Sequence, residues 1–195
     1  MPYAASAHAL LNVVGYLMLI VAPLLTLRVL AEEQRSGTLE ALVTTPVSDG
    51  EEILSKWLGA YAFYAFMLAV TSAYMAMLAY FGDPDWGPIV AHYLGLLLLG
   101  GMFLAVGVFG SSLTRSQIVA GVVTLVVILL YMLLGLIGGQ MTAQTREFLV
   151  QMNPYEHFST MGEGHVDTRD LIYFASWTAF WMFLATRVLE SRKWR

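Results

Sequence analysis

The chain has 195 residues, of which 58% are hydrophobic and 12% are charged, and its formal net charge is −4. Soluble domains carry about 25% charged residues, so this composition argues against a soluble core. The sequence contains no cysteine, which excludes disulfides, thiolate catalysis and cysteine-bound metals.

Charged residues are confined to a few short segments. No Asp, Glu, Lys or Arg occurs in four long windows, residues 1–27, 57–82, 86–114 and 116–145. Because about 20 apolar helical residues cross a bilayer core about 30 Å thick, each window is long enough to span a membrane. A shorter run near the C-terminus also qualifies, since the Arg187 side chain can reach the interface. We therefore predict an all-α integral membrane protein with five transmembrane helices, near residues 9–30, 53–81, 89–113, 117–139 and 171–189.

The basic residues predict the orientation of these helices. Eight of the ten Lys and Arg residues fall on one side of the predicted spans, and only Arg146 and Arg169 fall on the other. The positive-inside rule places the larger group in the cytoplasm, with the N-terminus outside and the C-terminus inside. Residues 1–195 then form a single transmembrane domain, with a cytoplasmic segment at 31–52 and an outer loop at 140–170.

The most polar part of the chain is the segment 28–56, which holds six of the 14 acidic and three of the ten basic residues. A short helix is expected to begin near Gly37 and to end at Pro46, because proline removes a helix donor and disfavours helix at the residue before it. Ser48 and Glu51 match the capping box S-x-x-E, which predicts the start of the second spanning helix.

The predicted short helix is amphipathic. Leu39, Leu42 and Val43 form its apolar stripe, and Glu40 lies on its polar side. Two roles fit these residues, a helix resting on lipid headgroups or a helix held by another protein. The absence of Lys and Arg between residues 36 and 55 argues against binding to anionic lipid.

Two connections are predicted on the outer side. The stretch FGDPDWGP at 81–88 is typical of a tight turn, and its second proline, Pro88, is expected to prevent helix. The outer loop is expected to hold short helices before the last span. Its stretch EFLVQM predicts a helix that ends before Asn153-Pro154, and Asp167 or Thr168 is expected to cap the last span.

A metal site in the outer loop is possible on residue type alone. His157 and His165 lie there together with Glu156, Glu163 and Asp167. Their spacing matches no metal-binding motif, so the default interpretation is a solvated polar loop without metal.

Small and hydroxyl residues near the third and fourth spans have structural interpretations. Two small-xxx-small pairs predict close helix packing, either within one subunit or between subunits. They are Gly101 with Ala105 and Gly135 with Gly139. The hydroxyl residues at the end of the third span lack a well-placed histidine base, so we expect them to satisfy backbone groups rather than act as nucleophiles. They are Ser111, Ser112 and Thr114.

Three stretches together resemble a known family. Arg28, Ala31-Glu32-Glu33, Gly37-Thr38, Glu40, Leu42, Pro46-Val47-Ser48 and Lys56 resemble the first cytoplasmic loop of type-2 ABC exporter permeases. Residues 107–121 resemble a later turn of that family, and residues 153–174 resemble its outer loop and last helix. The chain looks most similar to permeases of the gliding-motility type and of the nitrous-oxide-reductase maturation type. Such permeases have six spans, so we expect this five-span chain to lack the first of them.

The resemblance implies a mechanism and a set of partners. Two permease subunits, identical or different, would pair with two cytoplasmic ABC ATPases in the bacterial inner membrane. The first loop would form a coupling helix that docks on the ATPase. ATP and Mg would bind to that ATPase, and the permease itself would bind no cofactor, catalyse no reaction and contact no nucleic acid. The implied coupling residues are Glu32, Glu33, Arg35, Gly37, Thr38, Leu39, Glu40, Leu42, Val43, Pro46 and Ser48.

Two other functions compete with this interpretation. A membrane anchor or assembly factor would recruit an ATPase without moving a solute. An ion-coupled carrier would need ionisable groups within the spans, and the charge-free windows argue against it.

Overall fold

The computed structural model describes residues 2–27, 29–31, 48–81, 84–138 and 143–193. Within these residues the chain forms seven α-helices and no strand. They are α1 (Pro2–Thr26), α2 (Asp49–Phe81), α3 (Trp86–Ser112), α4 (Gln117–Gly138), α5 (Ala143–Gln151), α6 (Pro154–Gly162) and α7 (Thr168–Lys193). Five of these helices, α1 to α4 and α7, are long and apolar enough to cross a membrane. The prediction of an all-α integral membrane protein is confirmed.

The centre of the bundle is α3. This helix packs against α1, α2, α4, α6 and α7. In its most apolar window 72% of the residues are buried, whereas the share is 33% or less in each of the other four spans. Those four spans therefore turn much of their apolar surface outward, which suits helices that face lipid.

The first span ends earlier than predicted. α1 ends at Thr26 rather than near residue 30. The Val29 N–H donates to the Thr26 carbonyl at 3.2 Å in a turn, and the next two N–H groups bond to a side chain of α3. The prediction was wrong here because the hydropathy of a segment contains no information about a hydrogen-bond partner about 80 residues later in the sequence.

The third span begins earlier than predicted. Asp85 caps α3 by accepting a hydrogen bond from the Gly87 N–H at 3.2 Å. Pro88, which we expected to prevent helix, lies in the first turn of α3. Proline is tolerated there because the first four N–H groups of a helix have no partner within it.

The outer loop contains short helices, as predicted, although the sequence pattern indicated the position of only the first. α5 includes the predicted EFLVQM stretch up to Gln151. α6 follows at once, because Asn153 accepts from the Tyr155 N–H at 3.0 Å and Pro154 takes the first helical position. Asp167 caps α7 by accepting from the Arg169 N–H at 3.1 Å, which confirms one of the two predicted caps.

Glycine allows two close contacts of α3. A Cβ atom on Gly107 would lie 2.7 Å from the Cβ of Thr26 on α1. A Cβ atom on Gly100 would overlap the ring of Tyr64 on α2, whose hydroxyl donates to the Leu96 carbonyl at 2.8 Å. A larger residue at either position would force α3 away from its neighbour.

We predict that Gly107→Ala lowers the melting temperature of the purified protein in detergent. The added methyl group overlaps Thr26 in a packed contact, and such overpacking costs about 1–3 kcal/mol. The matched control is Gly59→Ala on α2, where an added Cβ would meet no atom within 4 Å. The control is expected to be neutral or slightly stabilising, since alanine favours helix. Equal melting temperatures for the two variants would contradict the proposed contact.

Candidate functional site

Most of the predicted coupling residues lie outside the described part of the chain. Only Ser48 of that set is described, and the others are Glu32, Glu33, Arg35, Gly37, Thr38, Leu39, Glu40, Leu42, Val43 and Pro46. The structure therefore describes the two flanks of the first loop, residues 29–31 and 48–53, and these flanks define the first-loop end of the bundle.

The second flank begins with the predicted capping box. The Ser48 N–H donates to Glu51 Oε2 at 2.9 Å, and the Glu51 N–H donates to Ser48 Oγ at 3.3 Å. These reciprocal bonds satisfy backbone donors that the start of α2 leaves without helical partners. The capping box is confirmed, and α2 has a defined first residue at Asp49.

Both flanks meet in one buried cluster, which we call the anchor cluster. It contains Leu30 from the first flank and Ile53 from the second, together with Val108 of α3 and Ala185 and Leu189 of α7. Each of these side chains is at most 3% exposed. The two ends of the first loop are therefore held against the same two helices.

Ser111 adds a polar bond to this apolar contact. Its Oγ atom accepts hydrogen bonds from the Leu30 N–H at 3.0 Å and the Ala31 N–H at 2.9 Å. Ser111 is fully buried at the end of α3. In the turn that follows, Thr114 Oγ1 accepts from the Ser116 N–H at 3.1 Å. Both observations confirm that these hydroxyl groups satisfy backbone donors.

The small-residue pair on α3 is buried, and Gly101 contacts α2. The Trp57 indole N–H donates to the Gly101 carbonyl at 2.9 Å, and Trp57 stacks on Tyr61 with ring centroids 4.9 Å apart. Ala105 is fully buried. A role of this pair between subunits stays a prediction. The second predicted pair is Gly135, which lies in α4, and Gly139, which lies outside the described residues.

At the opposite end of the bundle, α5 and α6 form a cap over the helices. The Tyr155 hydroxyl of α6 donates to the Gly15 carbonyl of α1 at 2.8 Å, and burial raises the pKa of this phenol so that it remains a donor. Phe158 is 1% exposed and lies against glycines of two spans, Gly15 of α1 and Gly95 of α3. The cap is therefore packed directly onto α1 and α3.

A buried histidine joins the cap to the last span. His157 Nδ1 lies 2.6 Å from Asp170 Oδ1, and His157 Nε2 lies 2.9 Å from the Gln151 carbonyl oxygen. Since a carbonyl oxygen can only accept, Nε2 carries a proton in this arrangement. The ring also stacks on Tyr173 with centroids 4.0 Å apart. One side chain of α6 thus connects the end of α5 with the start of α7.

This arrangement corrects the expected solvated loop. His157 is 9% exposed and Asp170 is 6% exposed, although His165 is exposed as expected. His157, His165 and Asp170 border an open cavity of about 310 Å³, which is also lined by Glu156, Thr160 and other residues between α5 and α7. Within the described residues, no group of three His, Asp or Glu side chains could hold a metal ion. No sequence pattern indicated the pair, because its members are 13 residues apart and lie on different helices.

An all-α bundle with five apolar spans and a folded loop between two of them defines a multi-span integral membrane protein. The chain belongs to the ABC-2 family of transporter proteins, whose family model matches residues 7–189. No curated protein matches the chain at a significant level. The protein is therefore a permease component of an ABC transporter, a membrane subunit of a class that generally pairs with a cytoplasmic ATPase.

We predict that His157→Ala lowers the melting temperature much more than His165→Ala does. The first variant removes the ring nitrogen that lies 2.6 Å from the buried Asp170 Oδ1, and leaving a buried polar group without such a hydrogen bond costs about 1–3 kcal/mol. The second variant removes an exposed imidazole that borders the same cavity. Scanning fluorimetry in detergent would measure both. A His157→Ala protein as stable as the His165→Ala protein would show that the pair does not hold the cap.

Proposed function

We propose that this permease is the membrane subunit of an ATP-driven exporter in the bacterial cytoplasmic membrane. A separate ATPase in the cytoplasm binds ATP and Mg and docks on residues 31–52, and two permease subunits form the translocating unit. The single observation that carries the coupling part of the proposal is the anchor cluster. A partner that binds the first loop would apply force to both of its flanks. Both flanks pack on the same two helices, α3 and α7.

The physical requirement for such a subunit is a rigid connection between the docking segment and the spans. ATP binding can shift the permease only if the docked segment differs in energy between two states of the bundle. A flexible connection would not transmit that energy difference from the docked segment to the spans. The Ser48–Glu51 box starts α2 within the last residues of the segment, and Leu30 is fully buried directly before the segment. Both features favour transmission.

The source of energy also supports this function. Ion-coupled carriers keep ionisable residues along the pathway within the membrane. Here four windows of at least 26 residues have no Asp, Glu, Lys or Arg. In the proposed function a partner ATPase supplies the energy, because these four windows offer no acidic side chain, lysine or arginine to bind or exchange a coupling ion.

We predict that replacing residues 38–45 by a Gly/Ser linker abolishes co-purification of the ATPase. The replacement removes the apolar stripe of Leu39, Leu42 and Val43, which we expect to fill a groove on the partner. Glu40→Lys reverses one charge of the same segment and should weaken binding as well. The measurement is affinity purification of the tagged permease from its native host, with the partner identified by its Walker motifs.

The matched control for that charge reversal is Glu163→Lys in the loop between α6 and α7, where the side chain is exposed. It changes the net charge by the same amount at the opposite end of the bundle and should leave ATPase binding intact. Unchanged binding after the linker replacement would refute docking at this segment. ATPase turnover that never responds to any exported compound would favour the anchor or assembly factor.

We predict opposite labelling of the two ends of the bundle. The natural sequence has no cysteine, so single cysteines can be introduced without background. In intact cells a membrane-impermeant maleimide should label Glu163→Cys and should not label Arg115→Cys until the membrane is opened. Both positions are exposed. The reverse pattern would place the first loop outside and would exclude a cytoplasmic partner there.

A further inference from the structure

The first flank of the loop is bonded to α3 rather than continued from α1. Within the described residues, the last bond of the α1 ladder is the one that the Leu27 N–H donates to the Pro23 carbonyl at 2.9 Å. The Leu30 and Ala31 N–H groups then donate to Ser111 Oγ, about 80 residues away in sequence. The chain therefore leaves α1 and is fastened to the end of another helix before the loop begins.

A serine is well suited to this position. Its oxygen has two lone pairs and can accept from two adjacent N–H groups at once. The surroundings are apolar, since Leu30, Ala31 and Val108 are fully buried. Buried N–H groups without a partner are disfavoured, so the flank stays at Ser111 as long as the bundle is intact. Alanine at this position would preserve the packing and remove the acceptor.

Ser111 lies on α3, the helix that contacts most of the other described helices. α3 contacts α1, α2, α4, α6 and α7. At its other end, Gly95 of α3 lies against Phe158 and Met161 of the cap. A displacement delivered at Ser111 therefore acts on a helix that extends to the cap.

We propose that Ser111 is a positioning residue for energy coupling. It fixes the start of the docking segment to α3, so that movement imposed by the ATPase reaches the central helix directly. This inference rests on the proposed function, because it assigns the route by which that function is carried out. In this role Ser111 acts through the backbone of Leu30 and Ala31, whose N–H groups donate to its Oγ atom.

The first experiment tests the bond itself and needs no partner. Hydrogen–deuterium exchange is measured for the peptide that contains Leu30 and Ala31, in Ser111→Ala and in Thr124→Val. Thr124 is an equally buried hydroxyl beside Gly110 of α3, but its Oγ1 donates to Ala120 of its own helix at 2.8 Å. Exchange should accelerate about thirtyfold in Ser111→Ala only, as expected when two bonds of ordinary net strength are lost together. Unchanged exchange would overturn the proposal.

The second experiment tests transmission in the complex with the co-purified ATPase. Spin labels are placed on cysteines that replace Val90 of α3 and Leu130 of α4, which are 64% and 55% exposed. Their distance is measured with and without a non-hydrolysable ATP analogue. The nucleotide-dependent shift should be present in the otherwise native chain and in Thr124→Val, lost in Ser111→Ala, and recovered in Ser111→Thr, which keeps the oxygen.

The outcomes separate the inference from the function on which it rests. If no ATPase co-purifies with the native chain, the proposed function fails and the transmission role fails with it. If the ATPase binds Ser111→Ala and the distance shifts as in the native chain, only the role of Ser111 is overturned. A purely structural role would lower the melting temperature of Ser111→Ala and leave the nucleotide-dependent shift intact.

Discussion

The fold depends on the requirement that buried backbone groups find partners inside the protein. In a bilayer no water reaches the apolar core, so each N–H and C=O there must bond to protein. Helices meet this requirement along their length but not at their ends. Where α1 ends, two N–H groups are taken by Ser111 of α3. The same constraint that stabilises the bundle thus decides where the first loop starts.

The same chemistry recurs between the spans. The Trp57 indole donates to the Gly101 carbonyl, the Tyr64 hydroxyl to the Leu96 carbonyl, and the Tyr155 hydroxyl to the Gly15 carbonyl. Each donor is the polar tip of a large aromatic ring, so one side chain provides both apolar packing and a directional bond. The absence of a side chain on glycine lets such rings approach the backbone of a span, as at Gly100. The positions of neighbouring helices along one another are therefore set by polar bonds inside apolar contacts.

The spans could be predicted from the sequence because a span depends on composition over about 20 residues. The Ser48–Glu51 box could be predicted because it depends on only four adjacent residues. Two of the errors arose where a distant partner decides the structure. α1 stops at Thr26 because its continuation bonds to α3, and His157 is buried because Asp170 lies opposite it. The start of α6 could have been predicted from the sequence, since Asn153 is a typical cap and Pro154 a typical first helical residue. We interpreted these two residues only as the end of the preceding helix. Ten of the eleven predicted coupling residues fall outside the described residues and stay a prediction.

Beyond their shared packing in the anchor cluster, the two flanks of the first loop join the bundle in different ways, and this difference bears on how coupling would work in the proposed function. The second flank is the first turn of α2, so a displaced loop tilts that helix as a rigid extension of itself. The first flank is attached to α3 through two hydrogen bonds and the packing of Leu30. α2 lies largely exposed at the periphery, whereas α3 is buried at the centre. In the proposed function, a movement of the loop would therefore act on a peripheral helix through its first turn and on the central helix through the bonds to Ser111. Since Trp57 and Tyr64 of α2 also donate to carbonyls of α3, the two helices would respond together to a partner that closes on the loop.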